Sequence, residues 1–325
     1  VEALMVPRLM RDPLTGARVI LAPGRAARPG AFSAPVPIPD DGECPFCAGR
    51  ENQTPPEISA IRSKTSRAND SDWTVRVVPN RFPAVASSGM GIAGAACGVH
   101  EVIIEPPRHD QRLVDLDADG VTDLIGVYFQ RLRDILIMPG ISRALVFKNC
   151  GANAGASLVH EHAQAIGLNM VPPLMGAEER RRARYQLKTG RCLVCDLLGH
   201  ARQSGRRVIF DSSQGCAFCP PAPRFAHETW FVPQDHGYPS ATACRALALG
   251  LLHVLRGLER LVPGAAYNLV LAGPLPCEAE THHFVLKLLP RLTGIAGLEC
   301  GGGLHVNPVP PVHSARLLRE SSQQA

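Results

Sequence analysis

The stretch Asn149-Cys-Gly-Ala-Asn-Ala-Gly-Ala-Ser157-Leu-Val-His160-Glu161-His162-Ala163-Gln164 joins a run of very small residues to two histidines and a glutamine. In a strand, residues two apart share one face. His160, His162 and Gln164 then point one way, and Glu161 and Ala163 the other. A neutral imidazole is a nucleophile able to attack phosphorus. Its second nitrogen must be held by an acceptor so that the attacking one is free. Gln164 can donate its amide to a phosphate oxygen and offset charge as it builds. Upstream, Asn149, Gly155 and Ser157 belong to a loop whose small residues let backbone amides and a hydroxyl approach an anion. The plainer reading is a pair of core histidines with satisfied hydrogen bonds beside an ordinary loop.

Working outward, residues 75–78, 101–105 and 144–147 read as strands. Residues 121–137 read as an amphipathic helix, because Leu124, Val127, Tyr128, Leu132 and Ile135 recur at helical spacing and Pro139-Gly140 follows. The second half repeats the order: a strand at 229–232, a helix at 241–261 before Pro263-Gly264, a strand at 268–271, then a loop to His282. His100 and His109 are nine residues apart, as are His227 and His236. The shared order points to an internal duplication, with the break near 172–180. On this reading the halves are 1–174 and 175–325.

Each half also opens with a Cys-x-x-Cys pair. The order Cys, Cys, His, His therefore appears twice, as Cys44, Cys47, His109, His160 and as Cys192, Cys195, His236, His282. Zinc favours four such ligands in a tetrahedron, and the short pair supplies two thiolates from one turn. His283, adjacent to His282 but facing the other way, is the alternative ligand. If His160 corresponds to His282, then His162 corresponds to Phe284, and the first half alone keeps a reactive group. A third pair, Cys216 and Cys219, reads as packing, as do Cys97, Cys150, Cys244, Cys277 and Cys300.

The chain has 325 residues, a hydrophobic fraction of 45% and a charged fraction of 19%, the balance of a soluble globular protein. The eleven cysteines are an odd count, and no export signal is read at the N-terminus, so reduced cytoplasmic thiols are expected. No apolar run is read as long enough to span a bilayer. The net charge of +5 suits anionic phosphates but lacks the clustered Lys and Arg of a nucleic-acid binder. The run Glu178–Arg184 reads as the solvated face of a helix. Residues 23–43 read as an extended arm in which Arg25 and Arg28 could clamp phosphates with planar forks.

These residues resemble the galactose-1-phosphate uridylyltransferase family of the histidine-triad superfamily. The resemblance runs nearly end to end, through Asp12-Pro13-Leu14-Thr15-Gly16, Cys44-Pro45-Phe46-Cys47, Thr54-Pro55-Pro56-Glu57, Asn80-Arg81-Phe82-Pro83, Phe147-Lys148-Asn149 to Gln164, and Asn307-Pro308. It implies an α+β fold: two histidine-triad-like halves, two antiparallel sheets with packed helices, and commonly a homodimer. It implies a ping-pong reaction in which His162 displaces hexose 1-phosphate from a nucleotide sugar, and a sugar phosphate or inorganic phosphate then takes the nucleotide. By the same resemblance Cys44, Cys47, His109 and His160 are zinc ligands. Ser157, Gln164, Arg25 and Arg28 contact phosphate, and Asn80 and Phe82 lie in the nucleoside segment. Glu161 stands where the family usually has proline. Cys192 and Cys195, Thr281-His282-His283-Phe284 and Gly301-Gly302-Gly303 resemble a branch with a second Zn2+ that includes plant ADP-glucose phosphorylase. Uridylyl exchange between a UDP-hexose and a hexose 1-phosphate is the first reading. An ADP-sugar phosphorylase is the second, and a non-enzymatic zinc-stabilised interaction protein the third.

Overall fold

The computed structural model describes residues 6–28, 32, 34–38, 40, 42–87, 94–274, 276–278 and 281–322. Along the chain run β1 (Arg8–Arg11), β2 (Arg18–Leu21), β3 (Ser59–Arg62), β4 (Trp73–Pro79), β5 (Gly98–Ile104), α1 (Ala118–Leu136), β6 (Arg143–Cys150) and β7 (His162–Leu168). The second half follows with α2 (Pro173–Thr189), α3 (Leu193–Ser204), β8 (Val208–Ser212), β9 (Gly215–Phe218), β10 (Thr229–Pro233), α4 (Ala241–Leu261), β11 (Tyr267–Ala272), β12 (Leu286–Pro290), α5 (Gly297–Gly302), β13 (Leu304–Asn307) and α6 (Pro311–Ser322).

The class is α+β, and the two halves mirror one another in strand order. β3-β4-β5-β7-β6 and β11-β12-β10-β9-β8 are each antiparallel, and they meet where β6 pairs with β11 to make one ten-stranded sheet. At that seam Asn149 lies opposite Asn268. A separate small sheet, β1-β2-β13, ties the two ends of the chain together, with β13 parallel to β2. Its first turn is set by Asp12, whose carboxylate accepts the Leu14 N–H at 2.8 Å and the Thr15 hydroxyl at 2.8 Å.

Both long helices are capped as their sequences suggest. Asp117 accepts the Gly120 N–H at 2.8 Å before α1, and Ser240 accepts the Ala243 N–H at 3.2 Å before α4. They pack on the same face of the sheet, in a core that runs unbroken from Val121, Leu124 and Leu132 to Leu247, Leu251 and Leu255. α4 is long and apolar enough to cross a bilayer by length and composition, contrary to the expectation that no such run exists, and 67% of its apolar window is buried. Its apolarity belongs to this core.

The other face differs between the halves. In the second half it is covered by α3 over Leu14, Phe218, Trp230, Val232 and Val285. In the first it carries a smaller cluster, Trp73, Val78, Val102 and Ile104 with Phe46. Two further expectations need correction. Glu178 is not on a solvated face: it is half-buried in a triple with Arg182 at 2.7 Å and Lys287 at 2.6 Å. Cys216 and Cys219 pack in the interior as expected, but Cys277 and Cys300 are exposed.

Candidate active site

The glycine-rich loop owes its course to backbone freedom. Gly151 (φ 81°) and Gly155 (φ 88°) occupy the left-handed region. A Cβ on Gly151 would also lie 2.9 Å from the Ala266 side chain. Asn268 holds the loop from β11, donating to Asn149 Oδ1 at 2.8 Å and to the Ala154 carbonyl at 2.9 Å. The loop then delivers His160 just before β7, and His162 as its first residue.

His162 is nearly buried, 8% exposed, yet lines a cleft. Its Nδ1 lies 2.9 Å from the His160 carbonyl. A carbonyl only accepts, so Nδ1 carries the proton and Nε2 keeps a bare lone pair. Burial pushes its pKa down to about 4; the Lys148 charge adds to this and the His160 carbonyl opposes it. The ring is therefore neutral at pH 7, the form a nucleophile needs. The cleft beside it measures about 330 Å³ and is lined by Ser157, Gln164, Asn80, Phe82, Arg81 and Phe46, among others. Phe46 meets the His162 ring edge-on at 5.2 Å. Phe82, 83% exposed, presents an aromatic face at the cleft, and its N–H is fixed by Asn80 Oδ1 at 2.8 Å.

Glu161 faces away, as the strand alternation implies. It pairs with Lys148 at 2.8 Å and accepts the Leu113 N–H at 2.9 Å. Lys148 also binds Glu105, which accepts the Tyr128 hydroxyl from α1. Burial alone would raise the Glu161 pKa; Lys148 more than reverses this and keeps the carboxylate ionised. The side chain that replaces proline between the histidines therefore anchors β7 to β6 from below.

Four ligand atoms from Cys44, Cys47, His109 and His160 lie within 4.8 Å of one another, a set able to hold a metal ion. A tetrahedral zinc with ordinary bond lengths sets sulfur and nitrogen ligand atoms about 3.6 Å apart. Cys47 Sγ lies 3.6 Å from His109 Nδ1 and 3.7 Å from His160 Nδ1. Each histidine is oriented through its other nitrogen, His160 by the Pro106 carbonyl at 2.7 Å and His109 by Asp40 at 2.9 Å.

The second group is Cys192, Cys195, His236 and His283. His282 is thus the wrong one of the adjacent pair. His283 Nδ1 lies 3.3 Å from Cys195 Sγ, and its Nε2 meets the Pro233 carbonyl at 2.8 Å, matching His160 and Pro106. His282 lines a small pocket with Glu178, Arg182 and Lys287 instead. The internal correspondence shifts by one: His160 with His283, Glu161 with Phe284, His162 with Val285, Gln164 with Lys287.

The structure thus brings His162, Gln164, Ser157, Asn80 and Phe82 to one cleft. Asn149, two residues beyond Phe147, which lies opposite Gln164, shares their face. Gly155 shapes the loop. Arg25 and Arg28 are exposed on a 3-10 turn after β2 and do not line the cleft, because β2 is bound to β13 in the small sheet. Residue-level reading missed Phe46, Arg81, His100 and the Lys148 network. Alternation along β5 was the available signal for His100, since it shares a face with Val102, the partner of Gln164.

The model of the galactose-1-phosphate uridyl transferase N-terminal domain matches residues 2–172. The chain is similar to an ADP-glucose phosphorylase of Arabidopsis thaliana, 32% identical over 97% of this chain and 93% of that protein. A crystal structure of an Arabidopsis thaliana ADP-glucose phosphorylase with bound ADP-glucose aligns with a TM-score of 0.83 at 30% identity, covering 97% of this chain and 98% of the other. A uridylyltransferase structure aligns at 0.73 and 25% identity, covering 98% and 99%. A cleft holding a neutral, singly tethered imidazole and this span of likeness lead to one conclusion: the chain belongs to the galactose-1-phosphate uridylyltransferase family and is a nucleotidyltransferase.

Proposed function

We propose that this chain is an ADP-sugar phosphorylase that moves the adenylyl group of ADP-glucose to inorganic phosphate through a covalent adduct on His162. The observation that carries the covalent step is the free Nε2 of His162 at the edge of the cleft, beside Gln164. The lone pair attacks the α-phosphorus, a P–N bond forms, and the bond to the glucose 1-phosphate oxygen breaks. The leaving group is itself a phosphate anion, so no proton need be supplied to it. Phosphate then attacks the same phosphorus, the P–N bond breaks, and ADP leaves. Gln164 and Ser157 donate to the non-bridging oxygens. Phe82 offers a stacking surface to the base.

The choice of adenine over uracil rests on the likeness to ADP-glucose phosphorylase, which favours the second of the readings made from sequence over the first. Both Cys2His2 groups are assigned to Zn2+ on their donor set and spacing. In the first, bound zinc would tie the Cys44–Cys47 turn to His109 and His160 and so hold the carbonyl that orients His162.

The test is product analysis. ADP-glucose with inorganic phosphate is expected to yield ADP and glucose 1-phosphate. Faster turnover of UDP-glucose with galactose 1-phosphate would favour uridylyl exchange and reject the phosphorylase reading. No turnover of either pair would favour the interaction-protein reading.

A further inference from the structure

We infer that His100 is a positioning residue that locks the Gln164 side-chain amide with its NH2 group turned toward the phosphate. This rests on the proposed adenylyl transfer and adds to it the device that sets Gln164. A glutamine amide has two nearly isosteric orientations, and only one presents donors to an anion. The other turns a carbonyl oxygen on the phosphate and repels it.

The orientation follows from a donor that cannot be reassigned. The Ala84 backbone N–H donates to His100 Nδ1 at 3.0 Å. Nδ1 is therefore the unprotonated nitrogen, and a neutral ring must carry its proton on Nε2. His100 Nε2 lies 2.8 Å from Gln164 Oε1. That N–H donates to the carbonyl end of the amide and leaves the NH2 end for the cleft. The Asn80 amide nitrogen lies 3.3 Å from the same His100 nitrogen. It does not compete for it, because that nitrogen bears a proton, and Asn80 is itself oriented by the Phe82 N–H on its Oδ1. The two residues sit on paired strands, with Val102 opposite Gln164 and His100 two residues along on the same face. The neutral ring is also the favoured one. Burial lowers the His100 pKa, opposed by Gln164 and Glu101. A doubly protonated ring would point a second N–H at the Ala84 N–H.

The chain of donors thus runs from the backbone of the 80–84 segment through His100 to Gln164. It fixes the amide before substrate arrives, so the transition state gains a preorganised donor rather than one that must turn. Lys287 replaces Gln164 in the second half, where the strand carries no such pair.

Two measurements test this. The first is the His100 tautomer by nitrogen-15 NMR in the free protein, expected as Nε2–H. An Nδ1–H ring would overturn the proposal whether or not the protein transfers nucleotides. The second is a double-mutant cycle on adduct formation from ADP-glucose. His100→Phe is expected to lower the limiting rate of adduct formation about tenfold with the half-saturating ADP-glucose concentration changed less than about twofold, as for one lost hydrogen-bond partner. His100→Gln, which keeps a donor, is expected to recover most of the loss. In Gln164→Ala, His100→Phe should cost less than about twofold more. The same loss in both backgrounds, or no loss in either, would contradict positioning. If the unaltered protein formed no adduct, the transfer reading would fail and the catalytic part of this one with it, while the tautomer would still report the state of the amide.

Discussion

His160 and His283 enter their strands in the same way, each with Nε2 on a backbone carbonyl and Nδ1 in a Cys2His2 group. Two residues on, they part. The first strand places His162 and Gln164 on an open face; the second places Val285 and Lys287 on a face covered by α3 and the Glu178 triple. On the opposite face Glu161 joins a buried ion network, where Phe284 packs on Phe129 at 5.1 Å. The Cys2His2 groups, the strands and the core helices are shared scaffold. The proposed reactivity belongs to the half whose outer face, among the described residues, has no helix over it.

That contrast can be broken in several ways. The largest expected effect is on chemistry. His162→Ala should lower transfer by about 10^4-fold or more, as expected when a nucleophile is removed. Val285→His should create no second reactive site, since Val285 is buried under α3; a measured adduct on residue 285 would refute the assignment of reactivity to the open face. Next is stability. Lys148→Met strands two buried carboxylates and should cost about 3–5 kcal/mol by urea unfolding. Phe284→Leu, at the position equivalent to Glu161, should cost nearer 1 kcal/mol. Equal costs would mean the ion network does not distinguish the halves.

The metal groups should separate more gently. Cys44→Ser alters the group that holds His160, whose carbonyl orients His162, and is expected to lower kcat about 10–100-fold. Cys195→Ser should lower the melting temperature with kcat changed much less. Cys216→Ser, in the packed interior of β9, should reduce stability less than Cys44→Ser. The smallest effect concerns pH. The reactive form of His162 is neutral, and its pKa is lowered to about 4. Adduct formation should vary by less than about twofold between pH 6 and 8 and fall only as pH drops toward that value. An ordinary histidine near 6.5 would lose a large part of its rate by pH 6.

Much of this was legible in the sequence for a physical reason. Strand alternation fixes faces, so His162 and Gln164 could be placed together and Glu161 opposite. Helical spacing found α1, and α4 runs over residues 241–261 as expected. The duplication was legible because ligand order survives in both halves. Its register was not: His282 and His283 offer the same side chain one residue apart, and only the Pro233 carbonyl and the packing of Phe284 decide between them. α3, β8, β9 and α6 were missed, their short patterns merging with those of neighbouring loops. Arg25 and Arg28 were placed by the chemistry of their planar forks and by resemblance, and neither says how β2 pairs with β13. The Lys148 network depends on contacts between strands far apart in sequence, which no local pattern encodes; alternation along β5 gives the face of His100 but not the pairing of β5 with β7 that brings it to Gln164.

The most direct measurement is the intact mass of the protein after incubation with ADP-glucose alone and a mild alkaline quench, which spares an acid-labile phosphorus–nitrogen bond. An adenylyl increment on the unaltered chain that vanishes in His162→Ala is the predicted result. No increment from ADP-glucose or UDP-glucose, or one that persists without His162, would contradict it.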